Sequence, residues 1–577
     1  WIGSNVTIME ARNFITAREM INDNNWLLTT MNGEARYQKP PLPTWLTATS
    51  GFVFGMESLF ALRLPAALMV LFLGIFSYYF SLKLNLSKNH SLNNSLILIT
   101  SFYVFGIINE APWDIFAHGF MFAGLYFLFQ FFEAKQSEWK KAMLAAIFIG
   151  LSIMSKGPVS LFAVFLPFLI SYGIVFKFKN FKQKLIPFIL SILLFLAIGS
   201  WWFVYVRIAD AQAFLEIATK ETGNWSSYNV KPFYYYWSFF TQSGLWTIPA
   251  FIGLLYPYLI KRVTDKRAYK FTFWWSLIAV VLLSLIPEKK ARYLMPVLIP
   301  LALNTGFYIE YLMQEFSKLT SKKETIPVSF NFGLIAVLAI ILPIGLYVIL
   351  KDNFNTYLLN YMFTSIASLI IGVLILNYLV KKKFKVVFYL TVFFMVSIFL
   401  FGLPISKALN KNEDFKAINS LHNIENQTNI NTYSIGEITP ELLWNYNGIL
   451  KDIYINETLK IPSEENFGIL IMNKDVEKIT VQLSEKYHLK LSDTYNLNVG
   501  SKEDYNEYLN NMGFFTLNKE YGINGTSVIE YNQCIQKIQS LSFNDVKKIY
   551  DNYQKEIENN YKLIIDIIKY PKLKIKN

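Results

Sequence analysis

Residues 8–43 read IMEARNFITAREMINDNNWLLTTMNGEARYQKPPLP, a polar segment in a chain otherwise built for a bilayer. Of its 577 residues 53% are hydrophobic and only 16% charged, where soluble domains carry about 25% charged residues. The body therefore reads as a polytopic membrane protein, and the polar segment is where chemistry at a membrane surface would sit. Thr7-Ile8-Met9-Glu10 has the spacing of a capping box, in which hydroxyl and carboxylate each satisfy a free amide at a helix start. In the helix that follows, Glu10, Phe14, Ala17 and Ile21 share one face and Arg12, Thr16 and Glu19 another. Asn32-Gly33 is a turn signal. Lys39-Pro40-Pro41-Leu42-Pro43 is expected to be extended, because each proline fixes φ and disfavours helix in the residue before it. Residues 44–56 then read as a short interfacial helix.

Outward from this segment the chain alternates apolar runs and basic loops. Apolar runs lie near 59–82, 94–109, 113–132, 141–155, 158–176, 185–206, 242–261, 270–286, 293–313, 327–350, 358–380 and 384–403. Most approach the roughly 20 residues a spanning helix needs. The chain opens at Trp1 without a signal sequence, which leads us to expect one further membrane helix upstream. Lysines and arginines recur in every second loop: Lys83 and Lys88, then Lys135 to Lys141, Lys177 to Lys184, Lys261 to Lys270, Lys318 to Lys323 and Lys381 to Lys385. The net charge of +13 thus belongs to cytoplasmic loops and not to nucleic-acid binding. Residues 1–58 are then a first outer loop, 59–403 the membrane domain with an outer loop at 207–241, and everything after 403 lies outside. From 404 to 500 the composition turns soluble, with strands expected at Ile430–Gly436, Phe467–Asn473 and Leu489–Leu497. Helices are expected at Asp414–His422 and Val476–Tyr487, giving a small α/β domain. Residues 501–577 form a polar tail with a helical pattern near 527–568.

Several outer cations break the charge rule, and an anionic ligand is one reason for them. Lys39 in its proline frame is a held point charge suited to phosphate, or a side chain snorkelling to headgroups. Lys156, in the break Ser155-Lys156-Gly157-Pro158, either binds an anion or caps a helix C-terminus. Pro287-Glu288-Lys289-Lys290-Ala291-Arg292-Tyr293 packs three cations and a tyrosine into one short loop, which favours a phosphate or diphosphate partner over lipid anchoring. Glu10 could be a general base with a raised pKa, although the capping box explains an acid there without catalysis. Asp114 could be a second acid or simply a helix cap, and Glu110 shares the ambiguity. His118 reads as a packed core histidine. Loop 207–241 offers Asp210, Glu216, Glu221, Trp225 and Tyr228 for sugar contact, while Tyr234–Trp237 reads as an interfacial belt.

The sequence holds no Gly-rich phosphate loop, Walker lysine motif, nucleophile elbow or zinc spacing among its four histidines. These absences argue against an ATP-driven pump or a hydrolase. Cys534 is the single cysteine, so no internal disulfide or thiolate cluster forms. No inverted repeat accompanies the charges, which gather on one membrane face, and this argues for a surface enzyme over a flippase or transporter.

Glu10-Ala11-Arg12, Ala17-Arg18-Glu19-Met20, Asn32-Gly33, and Tyr37-Gln38-Lys39-Pro40-Pro41-Leu42-Pro43-Thr44-Trp45-Leu46 together resemble the ArnT-like bacterial glycosyltransferases. These are the aminoarabinose transferases of lipid A, akin to the dolichyl-phosphate-mannose protein mannosyltransferases. Arg63-Leu64-Pro65, Asp114, Lys156-Gly157-Pro158, Trp201-Trp202 and Arg292-Tyr293-Leu294-Met295-Pro296 extend the resemblance across residues 1–310. It implies a GT-C fold of about 12–13 transmembrane helices with a C-terminal extracytoplasmic domain, in the bacterial inner membrane, with the active site on the periplasmic side. It implies an inverting hexosyl- or pentosyltransferase that uses a polyprenyl (undecaprenyl) phosphate sugar and no nucleotide sugar. The acceptor is lipid A, another glycolipid, or a protein hydroxyl. The resemblance puts Glu10 and Asp114 in catalysis, and Lys39, Lys156, Arg292 and Tyr293 on the donor phosphate. Arg12, Tyr37 and Glu221 are then acceptor or positioning residues. No cofactor is implied, and a divalent metal is compatible with the residues but not required by them. The sequence departs from the family where Met9 stands in place of the first acid of an Asp-Glu-x-Arg pattern, and again at Asn224-Trp225. Either Glu10 takes over the role, or the acceptor supplies its own nucleophile, as an ionised phosphate would.

Overall fold

The computed structural model describes residues 6–110, 112–136, 138–179, 181–227, 229–351, 354–409, 418–436, 438–455, 458–464, 466–472, 483, 488–496 and 562–568. The chain divides into Trp1–Ile405 and Ser406–Asn577.

In the first unit, α1 (Ile8–Asn22) begins at the expected capping box, with both reciprocal bonds formed between Thr7 and Glu10. Asn13 joins α1 to α2 (Leu42–Phe54) by accepting from Thr44 (2.7 Å) and donating to Thr47 (2.9 Å). Between the two helices, β1 (Thr30–Met31) and β2 (Glu34–Ala35) form a hairpin around Asn32-Gly33. Both turn residues have positive φ, 59° and 74°, the backbone a two-residue Asn-Gly hairpin demands. Glu19 holds this turn, accepting from the Thr30 hydroxyl and the Asn32 amide, each at 2.6 Å. The proline frame departs from expectation. Pro41 already has helical φ/ψ and α2 starts at Leu42, because a proline in the first helical turn gives up only an amide that lacks a partner anyway.

The remaining helices of this unit are α3 (Leu59–Lys83), α4 (Lys88–Ile99), α5 (Phe102–Glu110), α6 (Pro112–Glu133), α7 (Trp139–Lys156), α8 (Leu166–Phe176), α9 (Phe181–Ala209) and α10 (Ala211–Ser227). After them come α11 (Thr247–Gly253), α12 (Tyr256–Leu259), α13 (Lys266–Leu285), α14 (Met295–Glu315), α15 (Lys322–Leu350), α16 (Leu358–Val380) and α17 (Phe384–Ser397). Among the described residues, seven helices are long and apolar enough to cross a membrane: α3, α6, α9, α13, α15, α16 and Phe384–Ser406. Several of the other apolar runs are interrupted or carry more charge. The run at 94–109 breaks between α4 and α5, 242–261 splits into short turns, and α7 carries Lys140, Lys141 and Lys156. The 207–241 loop is not irregular throughout, since it holds α10.

Aromatic side chains fill the centre. Phe80, Phe122, Phe168, Phe271 and Trp275 pack with ring centroids 5.2–6.5 Å apart, within the range of favourable edge and offset contacts. Outside, α9, α15 and α16 leave large apolar residues bare, among them Ile186, Leu193, Phe330, Ile344, Leu359 and Ile370. So much contiguous apolar surface is stable against lipid and not against water, and the chain is a multi-pass membrane protein.

The second unit contains α18 (Leu421–Thr428), β3 (Asn431–Ile435), α19 (Pro440–Tyr446), β4 (Tyr454–Ile455), β5 (Thr458–Leu459), β6 (Asn466–Met472), β7 (His488–Asn496) and β8 (Lys562–Ile568). The four-stranded sheet has the order β3-β6-β8-β7, with β3 and β6 parallel and β8 antiparallel to both neighbours. The β8 segment replaces the C-terminal end of the helical pattern expected at 527–568. Its sequence, KLIIDII, is rich in β-branched residues that fit a pleated surface better than a helix. Residues 527–561 lie outside the described residues. So does the expected helix Val476–Tyr487, Leu483 excepted, and so do residues 414–417 of the expected helix Asp414–His422.

Candidate functional site

The break after α7 brings a lysine to an acid. Gly157 has φ 76° and ends the helix, and Pro158 prevents its continuation. Lys156 is thereby left at the helix end, where its ammonium bonds Asp114 Oδ1 on the first turn of α6. His118, one turn along, places Nε2 3.8 Å from the same carboxylate oxygen, and its Nδ1 lies 3.2 Å from the Ser160 hydroxyl. Asp114 and His118 are both buried. The Lys156 ammonium also stands 5.2 Å over the Tyr293 ring, and Arg292 lies close enough for its charge to reach Asp114. The Arg292 Nε is buried without a hydrogen-bond partner.

The loop after Pro287 is shaped from within. Tyr236, within the stretch expected as an interfacial belt, turns inward and exchanges hydrogen bonds with both backbone groups of Lys290 at 3.0 Å, while Tyr234 and Trp237 stay exposed. The Tyr293 hydroxyl donates to Glu288 (3.1 Å), which also pairs with Lys290 (2.6 Å). Burial, and then the Glu288 charge, raise the Tyr293 phenol well above its ordinary range.

From the N-terminal loop comes Lys39, whose ammonium is 3.6 Å from Glu221 on α10. Both side chains remain partly open to solvent, at 30% and 40%. Burial lowers the Lys39 pKa, and repulsion from Lys156 lowers it further, against Glu221 and Asp114. Arg36 joins the same group. It donates to Thr16 Oγ1 (3.1 Å) and to the Arg12 carbonyl, and its guanidinium lies 5.3 Å from the Trp113 ring. Burial, with Arg12 adding to it, depresses Arg36 to about 9, which still leaves it charged at neutral pH. Between Thr16, Thr29, Arg36, Lys39, Thr44 and Trp113 a notch of about 10 Å³ remains, room for about one water molecule.

The structure therefore brings together Lys39, Lys156, Asp114, Arg292, Tyr293 and Glu221, with Arg12 at the rim through Arg36. Sequence reasoning missed Arg36 and Trp113 as members. The signal available was a cation three residues before Lys39 in GEARYQKP. Tyr37 acts behind the cluster: its buried hydroxyl donates to Asp210 (2.9 Å), and its ring meets Trp202 edge-on at 6.3 Å. Trp202 in turn donates to the Leu27 carbonyl at 2.9 Å, so this pair straps the loop to the end of α9.

Glu10 is held by an arginine, and burial raises its pKa against the lowering effect of that partner. Arg63 on α3 grips it at two points, Nε to Oε1 at 2.7 Å and Nη2 to Oε2 at 3.0 Å, and the Thr7 amide donates to Oε2 at 3.1 Å. Both charged side chains are fully sealed from solvent. The pair ties α1 to α3. For metal binding, no group of three or more His, Cys, Asp or Glu side chains forms among the described residues. The side chains of Glu110, Asn224, Trp225 and Tyr228 lie outside them.

Residues 38–203 match the family model described as dolichyl-phosphate-mannose-protein mannosyltransferase. An uncharacterized protein of Aquifex aeolicus is 27% identical over 333 residues, covering 53% of this chain and 60% of that one. The undecaprenyl phosphate-alpha-4-amino-4-deoxy-L-arabinose arabinosyl transferase 1 of Proteus mirabilis is 23% identical over 343 residues, covering 56% and 59%. The chain thus spans about three fifths of the length of these relatives. The crystal structure of ArnT from Cupriavidus metallidurans bound to undecaprenyl phosphate superposes with a TM-score of 0.60 at 14% identity, covering 85% of this chain and 93% of ArnT. The fold is that of the ArnT-like GT-C membrane proteins. The Lys39 loop and the Lys156-Gly157-Pro158 break both fall inside the matched family segment. Arg292 and Tyr293 lie beyond it and are brought in by the fold.

Proposed function

We propose that the protein is a glycosyltransferase of the bacterial inner membrane. It moves a sugar from a polyprenyl (undecaprenyl) phosphate donor to lipid A or another envelope glycolipid at the periplasmic face. The observation that carries this reading is the convergence of Lys39, Lys156, Arg292 and Arg36 beside a bilayer-embedded helical body, a site for a phosphate on a lipid tail. The donor phosphate displaces Glu221 from Lys39 and meets Lys156, Arg292 and Tyr293. As the bond between the anomeric carbon and the phosphate oxygen lengthens, charge grows on the departing phosphate, and these fixed groups stabilise it. The acceptor attacks the opposite face of an oxocarbenium-like centre, so configuration inverts.

With Glu10 committed to Arg63, the acceptor that suits the site best is one already ionised. A phosphate oxygen of lipid A forms the new bond to the anomeric carbon with its own electron pair. The polyprenyl phosphate leaves with the pair from the broken bond, and no general base is needed. The Proteus mirabilis relative is named for transfer from such a donor, which supports this reading. The family model favours a second reading, transfer to a protein hydroxyl. That reaction requires a base, and Glu221 is the partly open carboxylate beside Lys39. The test is a synthetic undecaprenyl-phosphate sugar supplied to the purified protein in vesicles, with mass spectrometry of lipid A and of glycopeptides. Sugar on lipid A supports the first reading and sugar on peptide the second. A donor that crosses the vesicle membrane with no transfer defeats both in favour of a flippase.

A further inference from the structure

The end of α13 remote from Arg292 carries a groove of about 430 Å³. Ile174 and Val175 of α8 and Tyr256 of α12 form one side, and Lys266, Arg267, Lys270 and Trp274 of α13 the other. The 20 residues of α13 span about 30 Å at 1.5 Å per residue, which is the thickness of a bilayer's hydrocarbon core. The candidate site follows the C-terminal end of this helix, so the groove opens at the opposite membrane surface.

Lys266, Lys270 and Trp274 follow one another at four-residue intervals and form a single stripe, with Arg267 beside it. Cations so spaced on a helix repel one another. None of the three has a carboxylate partner among the described residues. The adjacent acid, Asp265, directs Oδ1 to the amides of Arg267 (2.9 Å) and Ala268 (2.8 Å). The neighbouring Arg262 is taken by Glu324 at 2.6 Å. Arg267 stacks over Phe176 at 4.2 Å. One turn deeper, Trp274 and Ile174 leave 39% and 49% of their surface bare. A soluble anion gains nothing from that apolar wall, whereas a lipid needs both parts.

We propose that this groove binds an anionic phospholipid of the leaflet opposite the candidate site, its phosphate held by Lys266, Arg267 and Lys270 and its upper acyl carbons lying against Trp274 and Ile174. General attraction of basic loops to an anionic leaflet is diffuse and needs no cavity. The equally basic loop Lys381, Lys383 and Lys385 therefore serves as the control. Native mass spectrometry of the purified full chain with phosphatidylglycerol and phosphatidylcholine reads the preference directly. The wild type is expected to favour phosphatidylglycerol by at least about tenfold, as three surface cations allow. Lys266→Gln/Arg267→Gln/Lys270→Gln loses that preference, and Lys270→Gln alone loses part of it should the triple variant not fold. Lys381→Gln/Lys383→Gln/Lys385→Gln retains it. An unchanged preference in the groove variants, an equal loss in the control, or displacement of the lipid by millimolar inorganic phosphate overturns the proposal.

Discussion

Arg63 and Glu10, 53 positions apart, form a two-point ion pair with no solvent access on either side, at 2.7 and 3.0 Å. Removing one partner of such a pair leaves an uncompensated buried charge and costs about 3–5 kcal/mol. Arg63→Met is therefore expected to lower the unfolding temperature sharply. Glu10→Gln keeps the shape but leaves the Arg63 guanidinium without its counter-charge, and is expected to lower it as well. The double variant Glu10→Gln/Arg63→Met should recover stability relative to Arg63→Met, since the orphaned charge is gone. Thermal unfolding in detergent measures all three. If Glu10 were the base, Glu10→Gln would abolish transfer at full stability, and that result would falsify the structural role assigned to it.

Arg292 offers the opposite case. Its Nε is buried and unpartnered, so the protein without ligand loses little when the side chain is removed. A charge-assisted hydrogen bond to phosphate contributes about 1.5–3 kcal/mol, and 1.4 kcal/mol is a factor of ten in affinity. Arg292→Met should thus weaken binding of undecaprenyl phosphate by roughly 10- to 100-fold with its melting temperature unchanged. Loss of stability in step with affinity would instead mark Arg292 as a scaffold residue.

Much of this site is local, and local features are legible in a sequence. The Thr7–Glu10 capping box, the Asn32-Gly33 turn, the Lys156-Gly157-Pro158 break and the Glu288–Tyr293 loop all follow from residue type and short spacing. What escapes is long-range. Nothing near Glu10 announces that Arg63 will claim it, and an acid that completes a capping box looks the same whether its second oxygen meets water or a guanidinium. Arg36 was passed over because a lone cation in a polar loop is ordinarily solvated. Its bonds to Arg12 and Thr16 on α1, with Trp113 of α6 beside it, turn it inward. The helical reading of 527–568 failed at its end because apolar pairs in KLIIDII satisfy a helical and a strand pattern equally, and the choice falls to the sheet that receives them.

Lys39 makes the site sensitive to alkaline pH. Its folded-state pKa lies below the ordinary lysine value because burial and Lys156 disfavour the ammonium. For a lysine shifted this way, the unfolded chain binds more protons between the two pKa values, so this group's contribution to stability rises with pH across that window. Donor affinity moves the other way, because the phosphate needs the ammonium. Binding of undecaprenyl phosphate should weaken as pH climbs through the lowered pKa, before an ordinary lysine near about 10.4 would titrate. Lys39→Arg keeps its charge over the whole range and should carry the alkaline limb to higher pH. An unshifted limb in that variant would assign the titration to another group.

Gly306 tests the packing that carries the site. It lies where α14 crosses α4, and a methyl group built on it would come within 1.6 Å of Asn94 Oδ1 and 3.3 Å of His90 Nε2. Asn94 has nowhere simple to go, since its amide nitrogen is held by Ser81 at 3.0 Å. Overpacking of this kind typically costs about 1–3 kcal/mol, and here it would push apart the helix that begins just after Arg292 and Tyr293. Gly306→Ala is therefore expected to lower the melting temperature and to reduce donor affinity together, although it touches no ligand. Asn94→Ala removes the colliding oxygen, whose hydrogen-bonding capacity is already unmet in the buried interior. The double variant Gly306→Ala/Asn94→Ala should then be more stable than Gly306→Ala alone. A double-mutant cycle with zero coupling energy would show that the two residues do not meet.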